Sequence, residues 1–103
     1  MEVNFWQKYQ ADGLKVIAID SDSGDVADVP GLTAYVDWLG PPTFPVATEA
    51  AGQGTYAQFS AIYEGSNPFP VDIIIDKQGI VRYIAREYDP FAMDQLVQEL
   101  LAE

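Results

Sequence analysis

The stretch that decides the fold is residues 70–79, which read PVDIIIDKQG. A proline leads into an apolar run of β-branched residues, the run ends in an aspartate, and a turn containing glycine follows. This pattern is typical of a strand that opens a β-hairpin. Residues 80–85 supply the antiparallel partner in this interpretation. The stretch therefore predicts a strand, a tight turn and a second strand.

Outward from this hairpin, apolar strands alternate with amphipathic helices. Residues 14–19, LKVIAI, predict a strand that is buried on both faces, as in a parallel sheet. A short extended piece is predicted at 44–47 and a polar loop at 20–25. Helices are predicted over residues 1–11, 29–39, 55–63 and from 90 onward. This alternation predicts a single α/β domain over residues 1–103.

Composition excludes several classes of function. The chain has 103 residues, 16 acidic against five basic, and a net charge of −11. A nucleic-acid interface needs a basic surface, so we expect no nucleic-acid partner, and no apolar run is long enough to predict a membrane span. Cysteine and histidine are both absent. We therefore expect no catalytic residue within the chain, no metal site and no cofactor.

Acidic residues next to strands are the candidates for a site. Asp72 interrupts an apolar strand, where it either faces a groove as a proton acceptor or points outward on a partly exposed face; the outward position is favoured because burying an unpaired carboxylate is costly. Asp76 is interpreted as a strand-ending turn residue. The aspartates of residues 20–25 suggest a calcium loop, but Gly24 and Gly31 occupy the wrong positions, so a solvated loop is preferred.

The order of these pieces resembles one family. Residues 14–20 with their acidic loop, FPV at 44–46, the stretch 70–79 and YDP at 88–90 together resemble the redoxin branch of thioredoxin-like proteins. This branch includes the TlpA-type thiol–disulfide oxidoreductases and the AhpC/TSA peroxiredoxin relatives. The resemblance implies a three-layer α/β/α fold with a mixed sheet, here without its N-terminal strand.

The resemblance also implies roles for particular residues. Pro70 matches the cis-proline that lies beside the redox cysteines, and Phe69 would line the substrate groove. In the family, a cysteine-bearing segment precedes the first helix, so we expect that segment to lie upstream of Met1. The intact domain would act on a protein thiol or disulfide or on a peroxide, and is often exported, whereas this chain itself would be inactive. The alternative is a noncatalytic binding module of the same fold.

A missing strand has a consequence for assembly. In the family's sheet it lies between the strands predicted at 14–19 and 71–75, so each would keep a bare edge. The two strands could close up, the chain could aggregate, or a second copy could pair with the edges. We expect the homodimer, because packed helices resist a shift of about 5 Å, one strand spacing. Phe5 and Trp6 are expected to add a second apolar surface that promotes association between copies.

Overall fold

The computed structural model describes residues 1–49, 54–60 and 71–103. Within these ranges the chain is a mixed α/β protein with four short strands. The predicted α/β class is thus confirmed at this level.

The chain begins with a helical segment whose winding changes along its length. A π-helical turn, Glu2–Trp6, leads into one α-helical turn, Gln7–Tyr9 (α1), and then into a 3-10 turn, Gln10–Asp12. We call these three pieces the N-terminal helical segment. Gly13 follows with φ of 108°, a left-handed conformation that glycine adopts without steric cost. The helix predicted over residues 1–11 is confirmed, and Gly13 ends it.

A short helix lies where the sequence predicts a loop. Helix α2 spans Ser23–Ala27, and Asp22 caps it by accepting hydrogen bonds from the backbone N–H groups of Gly24 at 2.8 Å and Asp25 at 3.2 Å. The loop prediction for residues 20–25 is therefore wrong for the second half of that range. The glycine and aspartates of residues 20–25 have low helix propensity, and the cap at Asp22 offsets that cost.

Helix α3 spans Val29–Leu39 and follows its sequence prediction. The Asp28 carboxylate accepts a hydrogen bond of 3.1 Å from the N–H of Gly31, and Pro30 occupies the first turn, where no intrahelical donor is lost. The helix ends at Gly40. Helix α4, Gly54–Ser60, coincides with the start of the helix predicted over 55–63.

The four strands form two separate sheets in the described ranges. Strands β1 (Ala18–Asp20) and β2 (Val46–Thr48) pair in parallel, whereas β3 (Asp72–Ile75) and β4 (Val81–Ala85) pair antiparallel as a hairpin. The predicted single mixed sheet is therefore not formed by these strands. Each of the four has one strand neighbour in the described part of the chain, so one edge of β1 and one edge of β3 stay outside the ladders.

The hairpin turn is fixed by one carboxylate. Asp76 Oδ1 accepts hydrogen bonds from the N–H groups of Gln78 at 2.9 Å and Ile80 at 3.0 Å, and Oδ2 accepts one of 3.2 Å from Arg82. Gly79 adopts φ of 83° in this turn. The interpretation of Asp76 as a turn residue is confirmed.

The last helix and the first segment enclose the core. Helix α5 spans Pro90–Ala102, and Asp89 caps it by accepting a 3.1 Å hydrogen bond from the N–H of Ala92. The buried cluster consists of Phe5, Tyr9, Met93 and Val97. Half-buried side chains from the lead-in to β1, from both hairpin strands and from α5 pack on it: Leu14, Val16, Ile74, Tyr83 and Leu101. The hairpin and the residues that lead into β1 thus pack on one buried cluster.

Burial corrects three further predictions. The segment 14–19 is not buried on both faces, because Ile17 and Ile19 are exposed by 60% and 44%. The core cluster takes Leu14 and Val16 from only one side of this segment. The apolar pattern of the last helix also predicts Phe91 on its core-facing side, but Phe91 is 74% exposed at the start of α5. Phe5, predicted to lie on an exposed apolar surface, is instead 2% exposed and belongs to the buried core.

Candidate functional site

Asp72 lies at the first position of β3, on the face that turns toward the core. It pairs with Ala85 across the hairpin, and strand periodicity puts it on the same face as Ile74, which packs on the buried cluster. Its side chain is half-buried, and Oδ2 is buried without a hydrogen-bond partner among the described residues. The carboxylate is thus partly exposed with one oxygen buried, and whether it faces a substrate groove stays a prediction.

The surroundings of Asp72 favour its protonated form. Burial raises the pKa of this carboxyl above its ordinary value, and the positive α-amino group of Met1 opposes that rise. Desolvation disfavours the charged form of an acid, which is why the pKa moves upward. The carboxyl can therefore hold a proton, or accept one, closer to neutral pH than an exposed aspartate can.

Polar and aromatic groups gather at the same end of the hairpin. Arg86 follows directly after β4, and its Nη1 donates a hydrogen bond of 3.3 Å to the Tyr56 hydroxyl of α4. Tyr88 packs edge-on against Phe5 with ring centroids 6.2 Å apart, and its hydroxyl accepts a 3.3 Å hydrogen bond from Asn4. This end of the hairpin is thus joined to the start of the N-terminal helical segment and to α4.

The two residues assigned by resemblance to a substrate groove are Phe69 and Pro70. Both lie outside the described residues, so their assignment stays a prediction. Val71, which comes next, leads directly into β3 at Asp72. Along the chain, the assigned pair therefore immediately precedes the hairpin end just described.

Glu49 is a buried carboxylate that the sequence analysis did not single out. It is 6% exposed, follows β2 directly, and accepts hydrogen bonds from the backbone N–H groups of Thr55 and, at 3.1 Å, of Tyr56. Burial pushes its pKa upward, but hydrogen bonds from Ser21, Tyr56 and Thr55 outweigh that effect, and the pKa is lowered overall. The ionised side chain caps the N-terminus of α4, and these hydrogen bonds occupy its carboxylate.

The aspartates after β1 bond to the backbone or to one another. Asp20 Oδ1 accepts a 3.0 Å hydrogen bond from the N–H of Asp22, which itself caps α2. Burial, and next the neighbouring carboxylate of Asp20, raise the pKa of Asp25. No group of three potential metal ligands is assembled anywhere in the described ranges, and in this stretch the carboxylates serve local turns.

Comparisons with known proteins give no relative. No family model, no curated protein and no solved structure matches this chain. In the described part of the chain, no helix has the length and apolar character needed to cross a membrane. The argument about function therefore rests on the residues and their arrangement.

Proposed function

We propose that this chain is the C-terminal part of a thiol–disulfide oxidoreductase or peroxiredoxin-like redox protein with a thioredoxin-like sheet. One observation carries the proposal. A parallel pair, β1 and β2, and an antiparallel pair, β3 and β4, form separate ladders among the described strands, and β1 and β3 each have an edge outside these ladders. The hairpin and the residues that lead into β1 pack on one buried cluster. A mixed sheet from which a central strand has been removed would leave this arrangement.

The 103 residues supply no redox chemistry of their own. A thiolate is the nucleophile in disulfide exchange and in peroxide reduction, and the chain has no cysteine. In the proposed intact domain, Pro70 and Phe69 line the substrate groove, and Asp72 lies close to them along the chain. A carboxyl with a raised pKa suits proton exchange with a reacting thiol. The substrate class is a protein thiol or disulfide, or a peroxide.

The second candidate is a noncatalytic binding module built on the same sheet. The absence of cysteine favours it, because a binding module needs none. Insulin-reduction and peroxidase assays on the 103-residue chain give the blank rate under both candidates. A rate above the blank would contradict both.

The natural polypeptide separates the two candidates. An antibody raised against this chain would recover it from its source, and intact mass and thiol alkylation would then be measured. The redox-protein proposal predicts a mass above 11.3 kDa and at least one alkylatable thiol, with insulin reduction or peroxidase activity. A polypeptide of 11.3 kDa without a thiol would refute that proposal and support the binding module.

We also propose that two copies pair through the edges of β1 and β3 that lie outside the ladders of the described strands. Backbone N–H and C=O groups along such an edge need partners, and exposed Ile19 and Ile75 give the edges apolar side chains. The net charge of −11 opposes the contact between copies, so added salt should strengthen the dimer. Direct closure of β1 on β3 and aggregation are the other outcomes of the same experiment.

Light scattering at low micromolar concentration tests the dimer. Ile19→Lys or Ile75→Lys should convert it to a monomer, because an edge lysine blocks strand addition. Ile80→Lys is the matched control, since Ile80 is 58% exposed but lies after the hairpin turn rather than in a strand. A monomeric parent chain with cooperative unfolding would reject the dimer, and soluble aggregates unaffected by the edge substitutions would reject it too.

A further inference from the structure

Helix α3 presents an aromatic surface that the fold does not use. Tyr35, Trp38 and Leu39 are exposed by 57%, 79% and 59%, and we call these three residues the α3 aromatic face. Their spacing of three and four residues puts them on one side of the helix. The rings of Tyr35 and Trp38 stack with centroids 6.2 Å apart and planes at 29°. The face is therefore pre-ordered while it stays in solvent.

The adjoining side of α3 faces a groove. Leu32 and Val36 are half-buried and line a groove beside β2, together with Val46 and Ala47. The sequence predicts Leu32, Tyr35, Val36 and Leu39 on a single core-facing side; in the structure this set is split. Since Leu32 and Val36 are half-buried and face this groove, whereas Tyr35 and Trp38 stay exposed, the large rings of the α3 aromatic face add little to folding. Exposed tyrosine and tryptophan are instead enriched in protein interfaces.

The charge around α3 selects the partner. No lysine, arginine or histidine occurs between Lys15 and Lys77, whereas Asp28 caps α3 and Asp37 lies within it. Asp20, Asp22 and Asp25 precede the helix, and the carboxyl of Asp25 already has a raised pKa. A negative field of this kind attracts cations and repels nucleic acid, anionic membranes and a second copy of the chain.

We propose that the α3 aromatic face docks an amphipathic helical segment of a partner protein that carries lysine or arginine beside its apolar side chains. The apolar side of that segment covers Tyr35 and Trp38, and its cations meet Asp28 at the N-terminal end of the helix. Helix α3 has 11 residues, about 16 Å at 1.5 Å per residue, which is enough for roughly three turns of a partner helix. This docking surface is independent of the redox proposal.

The test uses the full chain and a labelled short peptide with leucines on one helical face and lysines on the other. Fluorescence anisotropy should show saturable binding that weakens as salt is raised. A peptide with glutamate in place of lysine should not bind, because it meets the aspartates with like charge. Equal binding of the two peptides would overturn the proposal.

Two variants locate the contact. Trp38→Ala should weaken binding about 30-fold, the loss expected for an aromatic residue at the centre of an interface. Phe91→Ala is the matched control, an aromatic exposed by 74% on α5, and should change binding less than about twofold. Circular dichroism would confirm that both variants fold. An unchanged affinity of Trp38→Ala would refute the proposal, as would self-association of the parent chain that Trp38→Ala abolishes.

Discussion

Replacing Asp72 with valine should stabilise this protein at neutral pH. Its Oδ2 is buried without a hydrogen-bond partner among the described residues, and its side chain lies on the core-facing side of β3. A β-branched apolar residue suits a strand at this position and removes the unsatisfied oxygen. Most substitutions lower the free energy of unfolding, so an increase in Asp72→Val would be informative about the burial of this carboxylate.

The magnitude follows from the burial of one oxygen. An unsatisfied buried polar group costs about 1–3 kcal/mol. The low end applies here because the side chain is only half-buried and the α-amino group of Met1 attracts the charge. We therefore expect Asp72→Val to raise the free energy of unfolding by about 1 kcal/mol, which is roughly 4–8 °C in Tm for a domain of this size.

The gain should depend on pH. Folding raises the pKa of this carboxyl, so the folded chain holds the proton more tightly than the unfolded chain does. Ionisation therefore destabilises the folded state above the raised pKa, and the penalty disappears as pH falls from there toward about 3.9, the ordinary value. The advantage of Asp72→Val should shrink over that window.

Urea unfolding followed by circular dichroism gives the free energies at each pH. Asp37→Val is unsuitable as a control because valine changes helix propensity, so the matched pair is Asp72→Asn and Asp37→Asn. Each removes one negative charge, and Asp37 is exposed on α3. Loss of stability in Asp72→Val, or a gain that is the same at all pH values, would refute this account of Asp72.

Three further predictions concern contacts that hold the core. Tyr9→Phe should destabilise the chain by about 1 kcal/mol, because the Tyr9 hydroxyl donates a 2.6 Å hydrogen bond to Asp94. Hydrogen bonds from Tyr9, and next from Lys8, lower the pKa of Asp94, so in urea unfolding this contribution should be full above about pH 4 and lost as pH falls through the lowered pKa. Asp76→Ala should cost about 2 kcal/mol, since its nearly buried carboxylate accepts from two backbone amides of the turn, and faster hydrogen exchange in the hairpin would verify it. Met93→Ala should lower the free energy of unfolding by about 2–5 kcal/mol, because it leaves a cavity in the core. A melting temperature within about 2 °C of that of the parent chain would contradict the assignment of Met93 to the core.

Local signals predicted the helices and the hairpin well. The caps at Asp28 and Asp89 and the turn at Asp76 depend on atoms within a few residues, so the sequence pattern contains them. The first helix was predicted for the same reason, since its apolar spacing and Gly13 are both local. Helix α2 was missed because glycine and aspartate resemble a loop when the cap at Asp22 is not recognised.

Long-range features could not be predicted from the pattern. Whether β1 joins β3 depends on contacts across the chain, and apolar residues such as Ile17 and Trp38 look like core in a sequence although they are exposed. Glu49 was missed because its partners, Thr55 and Tyr56, lie 6 and 7 residues farther along the chain, beyond the reach of a local cap. Its position directly after a strand was the only available signal.

The sequence that encodes the region immediately upstream of Met1 tests the central claim most directly. If this chain is the C-terminal part of a redox protein, the reading frame continues upstream and encodes an apolar strand followed by Cys-x-x-Cys or a single cysteine. Such a strand would fill the place between β1 and β3 and supply the missing thiolate. An in-frame stop codon directly upstream, together with a ribosome-binding site, would contradict the redox proposal and leave the binding module.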